Sequence, residues 1–244
     1  VKPLDVQLSV SSQFDPDQNV IFSFPTPLAK VDTAAIHLYA KHDTLWYRAP
    51  MEFLPLENRK YELRGEWRPD IEYSLEVDSA AFEDIYGLAS KPIKQGFKVN
   101  SLDTYGTLLV NITSLHDLPL IVQLLDAQDK MVKETKTVNG VAEFYYLKPQ
   151  KYYMRLIVDR NNNGKWDTGN YDSDQQAEEV YYYPEAIECK AKWDLTESWD
   201  PLVRELSLQK PGAITKQKPD KEKKVKNLNV QRAAKLGIQY VPKM

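Results

Sequence analysis

Hydrophobic and polar residues alternate with a period of two through much of this chain. Tyr73, Leu75 and Val77 are interrupted by Ser74 and Glu76. Val20, Phe22 and Phe24 are interrupted by Ile21 and Ser23, with Pro25 and Pro27 closing the run. Such alternation puts one set of side chains on one face of an extended strand and the other set opposite. Residues 7–11, 36–40, 45–48, 60–63 and 96–99 are predicted as further strands, and 79–84 as a single helical turn before Gly87. Turn residues separate the runs by about ten positions, as a β-sandwich requires.

The pattern resumes after residue 105. Leu108, Val110 and Ile112 alternate, as do Leu120, Val122 and Leu124. Residues 130–138 form a more polar strand, and Asn139-Gly140 is a strong hairpin turn before 141–147. Residues 152–158, 180–183, 187–193 and 203–208 complete the predicted strands. Neither region contains a long amphipathic helical pattern. The expected fold is all-β: two tandem antiparallel sandwiches over 1–101 and 102–208, then a mostly disordered tail over 209–244. One short helix is expected near 231–236, capped by Asn229 and ended by Gly237.

Composition agrees. The 244 residues suffice for two ordinary domains, and 15 Tyr, 7 Phe and 5 Trp favour strands. No apolar stretch is long enough for a membrane-spanning helix. The net charge of −3 is unevenly placed. From Lys210 onward stand 10 basic and 2 acidic residues, a balance of +8, so the preceding 209 residues carry −11. An acidic body excludes a dedicated nucleic-acid binder. The basic tail is either a solvated terminus or a contact for anionic lipid or an acidic partner. A start at Val1 suggests a processed or partial chain.

Two strings of residues carry a family resemblance. Val20-Ile21-Phe22-Ser23-Phe24-Pro25, then Tyr73 to Asp78, then Phe82-Glu83-Asp84-Ile85-Tyr86-Gly87 resemble the SbsA-type (Big_5) bacterial Ig-like domain. Pro119 to Leu124, Leu147-Lys148-Pro149, Tyr152 to Asp159, Asn161 to Gly169 and Tyr181 to Pro184 are similar to the last domain of Ig-like envelope lipoproteins of Bacteroidetes. That domain resembles the transthyretin-like, carboxypeptidase-regulatory sandwich. The resemblance implies an exported, outer-membrane-associated protein, periplasmic or at the cell surface. It also implies a lipid anchor upstream of the present chain and an envelope or outer-membrane protein as partner. Asp32-Thr33-Ala34, Asp43-Thr44-Leu45 and Asp78-Ser79-Ala80 match the short O-glycosylation acceptor of exported proteins from that group.

The chemistry-bearing stretch is 159–170. Calcium needs six to eight oxygens, and Asp159, Asn161 and Asn163 occupy alternate positions before Gly164. The Lys165 carbonyl and Asp167 would follow. Asn170 stands where a bidentate Glu would serve a high-affinity site, with Asp172 or Asp174 within reach. Two readings stay open: a structural Ca²⁺ at a strand-to-loop corner, or an Asn/Gly turn held by side-chain hydrogen bonds. No cofactor is required by either.

Adjacent strand residues face opposite ways, so one Tyr of each pair points outward. Tyr145, Tyr153 and Tyr182 are the candidate binding surface, against a reading of these rings as core edges. His37, His42 and His116 stand in no metal-ligand spacing, no nucleophile elbow occurs, and Cys189 reads as a small packed side chain. The expected function is non-catalytic: a structural and interaction module docking to or spacing an envelope partner. The alternative is a carbohydrate-binding module, calcium-assisted, and a hydrolase is the weakest option.

Overall fold

The computed structural model describes residues 3–215, Arg232 and 234–237. In chain order the first body contains β1 (Gln7–Leu8), β2 (Gln13–Phe14), β3 (Val20–Ser23), β4 (Leu28–Val31), β5 (Ile36–His42), β6 (Leu45–Arg48), β7 (Met51–Leu56), β8 (Lys60–Gly65), β9 (Glu72–Val77), β10 (Phe82–Asp84) and β11 (Ile93–Val99). One sheet runs β1-β3-β8-β7 and another β2-β11-β9-β5-β6, with β10 and β4 paired alongside. All pairs are antiparallel except β2 with β11.

The second body contains β12 (Gly106–Ile112), β13 (Leu120–Leu125), β14 (Met131–Lys136), β15 (Val141–Leu147), β16 (Gln150–Val158), β17 (Val180–Tyr182), β18 (Ile187–Cys189) and β19 (Asp194–Trp199). Its sheets run β15-β12-β19 and β14-β13-β16-β17, with β18 also on β16. Here β12 and β19 are the parallel pair.

The alternation works as expected. Val20, Phe22 and Leu63 from one sheet meet Ile36, Leu38, Leu75 and Val99 from the other in a single buried cluster. Leu108, Val110 and Phe144 meet Val122, Leu124, Met154 and Leu156 in a second cluster that shares no residue with the first. Each such buried Leu, Val or Phe contributes about 1.5–3 kcal/mol relative to exposure. Aromatic rings fill much of the first core. Phe22 and Phe53 meet edge to face at 5.1 Å, and Tyr73 stacks on Phe97 at 5.7 Å. Asn139 and Gly140 take φ of +52° and +76°, the left-handed pair that the β14–β15 hairpin requires.

Four local expectations change. The helical turn at 79–84 is instead a turn with Ala80 at φ +60° leading into β10, because Phe82 pairs with Val31 and is fully buried. The strand expected at 187–193 stops at Cys189. Lys192 turns at φ +63°, and β19 begins at Asp194. Residues 203–208 form no strand: Val203, Leu206 and Leu208 are exposed, and Leu206–Leu208 is a 3-10 turn. The packed chain also continues past 208. Ile214 is buried with Leu125 and Tyr153, and Gln209 is buried, donating to the carbonyls of Pro201 and Arg204 at 2.8 Å each.

Disorder expected between 216 and 231 and after 237 falls outside the described residues, as does the Asn229 cap. Arg232, Ala234 and Lys235 are helical, and Gly237 has φ +66°.

Candidate functional site

The loop after β16 is built around two buried carboxylates. Asp159 is 1% exposed. Its N–H donates to the Pro119 carbonyl at 3.0 Å, which ties the loop to the residue that leads into β13. Its carboxylate accepts from the N–H groups of Asn163 at 2.9 Å and Gly164 at 2.8 Å. Gly164, at φ +84°, permits that turn. Asn161 and Asn163 each donate a side-chain amide to Asp167 Oδ2 at 2.5 Å. The Asn161 amide first, and then the Asn163 amide and Lys165, hold the Asp167 carboxyl below its ordinary range despite some desolvation.

Glu178 is the second carboxylate. It accepts from Arg160 N–H at 2.9 Å and Asp167 N–H at 3.0 Å, while its own carbonyl takes the Trp166 indole N–H at 3.0 Å. Both ends of the excursion are therefore stitched to one side chain. No periodicity or motif marks Glu178, because a chain reversal at the Asn170–Gln175 bridge brings it back to Asp167.

Of the sequence-predicted ligands, Asp159, Asn161, Asn163 and Asp167 are brought together. Lys165 joins through its N–H, donating to Asn163 Oδ1 at 3.0 Å. Asn170 and Asp172 stand apart in their own turn, where Asp172 N–H donates to Asn170 Oδ1 at 2.9 Å. Among the described residues, no three His, Cys, Asp or Glu side chains gather in metal-binding geometry. The donor set is half carboxamide, so any cation held there would rest on two charges, those of Asp159 and Asp167.

The three outward tyrosines do not form one face. Tyr145 lies on β15, in the three-stranded sheet, whereas Tyr153 and Tyr182 lie on β16 and β17 in the opposite sheet. Tyr153 does point away from the main core, but it is 8% exposed because Ile214 packs over it and Leu125. Tyr182 is half-buried, its N–H donates to Gln209 Oε1 at 2.9 Å, and Lys210 lies over its ring at 4.9 Å. Tyr145 alone remains an open ring, its hydroxyl donating to Glu143 at 2.7 Å.

Cys189 is buried, and burial pushes its thiol up. His37 contacts Asp78 at 3.1 Å, and His42 packs near Tyr47. Thr33, Thr44 and Ser79 are exposed at turns.

A polar cluster joins the two bodies. Asp15, which follows β2 and is 8% exposed, accepts from the Tyr105 hydroxyl at 2.6 Å and the Asn100 amide at 3.0 Å. Lys148, from the β15–β16 turn, pairs with its other oxygen at 2.6 Å. Asp17 and the Tyr145 carbonyl both accept from Lys133 of β14 at 2.5 Å. Burial pushes the Asp15 carboxyl up, but Lys148, Tyr105 and Asn100 outweigh it and hold it below the usual range. Burial and the Asp15 charge raise the Tyr105 hydroxyl strongly. Sequence offered no signal for this cluster, since its members come from a strand end, a linker and a hairpin far apart in the chain.

No protein-family model matches the chain, and no curated protein does. Among solved structures, native alpha-2-macroglobulin from Escherichia coli, spanning domains MG0-NIE-MG1, is 9% identical, with 75% of this chain and 78% of that one covered and a TM-score of 0.36. The N-terminal part of the bacterial S-layer protein SbsC is 12% identical, with 65% and 41% covered and a TM-score of 0.35. The major pilin subunit of Bacillus cereus is 12% identical, with 81% and 69% covered and a TM-score of 0.25.

Proposed function

We propose that this chain is a non-catalytic spacer and docking module of an exported bacterial envelope protein. The observation that carries the proposal is the junction. Two separately cored sandwiches are tied by a buried carboxylate with three partners and by a second ion pair, Lys133 with Asp17. Relative motion is the default for a small, polar contact between domains, so the spacer reading requires this network to hold the two bodies at one mutual orientation. Export and an outer-membrane-associated docking partner rest on the sequence resemblance, and the +8 segment from Lys210 is the proposed contact for that partner.

Backbone ¹⁵N relaxation tests the joint. Both sandwiches should report one rotational correlation time, and Asp15→Ala should split it into two shorter ones. Two independent times in the unmodified protein would remove the spacer reading. For docking, a partner recovered from solubilised envelope should be lost when residues 216–244 are deleted, a cut that keeps the packed Ile214.

A further inference from the structure

The outer face of the sheet β2-β11-β9-β5-β6 carries a hollow that the junction does not use. Registry builds it. Arg48, Tyr39, Ser74 and Gly96 lie side by side across four strands. Trp46 pairs with Lys41 in the neighbouring row, and His37, Glu76 and Lys94 form the row on the other side. Tyr39, Trp46, Ser74, Glu76 and Lys94 together line a depression of ≈ 380 Å³, a volume in the range of small-ligand sites, roughly 300–1,000 Å³.

Gly96 stands beside the hollow, paired with Ser74. A Cβ there would meet nothing within 4 Å, and its φ lies outside the left-handed region, so the backbone does not need glycine at this position. Glycine inside a strand weakens it. Its effect here is the space beside Ser74.

The chemistry of the lining selects the ligand. Trp46 is 46% exposed on β6, the edge strand, so an aromatic ring stands at the open side of the hollow. The two charges that line it are matched to each other: Lys94 pairs with Glu76 at 2.8 Å, and Ser74 donates to Glu76 at 3.1 Å. Lys41 pairs with Glu72 at 2.7 Å and stands 5.9 Å over the Trp46 ring, while Arg48 lies outside the lining. A charged ligand inside the hollow would have to break the Lys94–Glu76 pair. A neutral polyol instead adds hydrogen bonds to ions of both signs, which are stronger than neutral ones. A sugar ring also offers an apolar C–H face to an aromatic side chain and a rim of hydroxyls to its surroundings.

We propose that this face binds a neutral carbohydrate chain, stacked on Trp46 and seated over Tyr39 and Ser74. The site is distinct from the tyrosines of the second sandwich and goes beyond the spacer reading.

Native affinity electrophoresis of the full chain tests it, with gels containing laminarin, dextran, yeast mannan or, as an anionic control, polygalacturonate. At least one neutral polysaccharide should retard the protein. Trp46→Ala should weaken that retardation about tenfold, the equivalent of ~1.4 kcal/mol. Gly96→Val should also weaken it by crowding the hollow beside Ser74, with an unchanged or higher melting temperature that rules out misfolding. Tyr145→Ala should leave it intact. No retardation by any neutral polysaccharide overturns the proposal. So does retardation by polygalacturonate alone, or retardation that survives both hollow substitutions. None of these outcomes bears on the relaxation experiment, so the two proposals fail separately.

Discussion

Asp15→Ala perturbs the joint at its centre. The substitution leaves the Tyr105 hydroxyl and the Asn100 amide without their shared acceptor, in a place where Tyr105 is 5% exposed. A hydrogen bond to a charged group contributes about 1.5–3 kcal/mol, and an orphaned buried partner adds its own desolvation. Tyr105 and Asn100 still contact each other at 3.1 Å, which recovers part of that loss. The Lys148 side chain is 60% exposed, so its ammonium regains water and its pair contributes less than about 1 kcal/mol. The expected cost is therefore about 2–4 kcal/mol. Tyr105→Phe, which keeps the ring and its edge contact with Tyr146 at 5.8 Å, should cost about 1.5–2 kcal/mol. Because both changes remove the same contact, the double variant should be less destabilised than the sum of the two, with a coupling of about 1–2 kcal/mol. Urea unfolding followed by tryptophan fluorescence and circular dichroism gives all four corners of the cycle. Strict additivity, within about 0.5 kcal/mol, would show that the hydroxyl and carboxylate do not act together and would refute the joint as described.

Acid should loosen the protein. The carboxyls of Asp15 and Asp84 are held below their usual range, Asp84 by the N–H groups of Leu88 and Tyr86 and by Thr26 against the opposing effect of burial. A depressed folded-state pKa gives stability that is full above the unfolded value of about 4 and is lost as pH falls through the folded one. The melting temperature should stay level from pH 7 to 5 and drop below about pH 4; a flat profile down to pH 2.5 would contradict this. Gly106→Ala should destabilise by about 1–3 kcal/mol or prevent folding, because the new Cβ would lie 2.6 Å from both Cys189 Sγ and the Lys190 carbonyl. Thermal melts compare it with Gly212→Ala, where nothing lies within 4 Å. Ile214→Ala should cost about 2–4 kcal/mol by uncovering Leu125 and Tyr153, with the loss measured in urea; a neutral result would mean the strap does not pack there. Millimolar calcium should raise the melting temperature by a few degrees through the 159–167 loop, and Asp167→Ala should abolish the rise. No rise leaves the loop as a hydrogen-bonded turn.

The sandwich strands were legible wherever burial falls on one face. Tyr73, Leu75 and Val77 are core residues, as their alternation says. Strands failed to show where a local rule is broken. β7 contains Pro55, which an edge strand tolerates. β19 carries Glu197, whose carboxylate takes the Tyr183 hydroxyl at 2.9 Å, between Leu195 and Trp199. β13 was legible from Leu120, Val122 and Leu124 although all six of its residues are buried: that face lies in the main core, and the other includes Leu125 beneath Ile214. Asp159, Asn161 and Asn163 announced a built loop through their spacing. Glu178 and Asp15 were invisible, because their partners are gathered by tertiary folding alone. Parity places Tyr153 off the main core, but it carries no information about a strap whose Ile214 then covers the ring.

The parallel pairing of β12 with β19 decides how the second sandwich meets a pulling force. Tension applied at Gly106 and Trp199 draws them in opposite directions along neighbouring strands that run the same way. The hydrogen bonds between them are then loaded side by side in shear, not peeled one after another. Six registered residue pairs, Thr107 with Asp194 through Ile112 with Trp199, must yield together. Mechanical resistance of that kind is governed by the barrier to unfolding rather than by equilibrium stability.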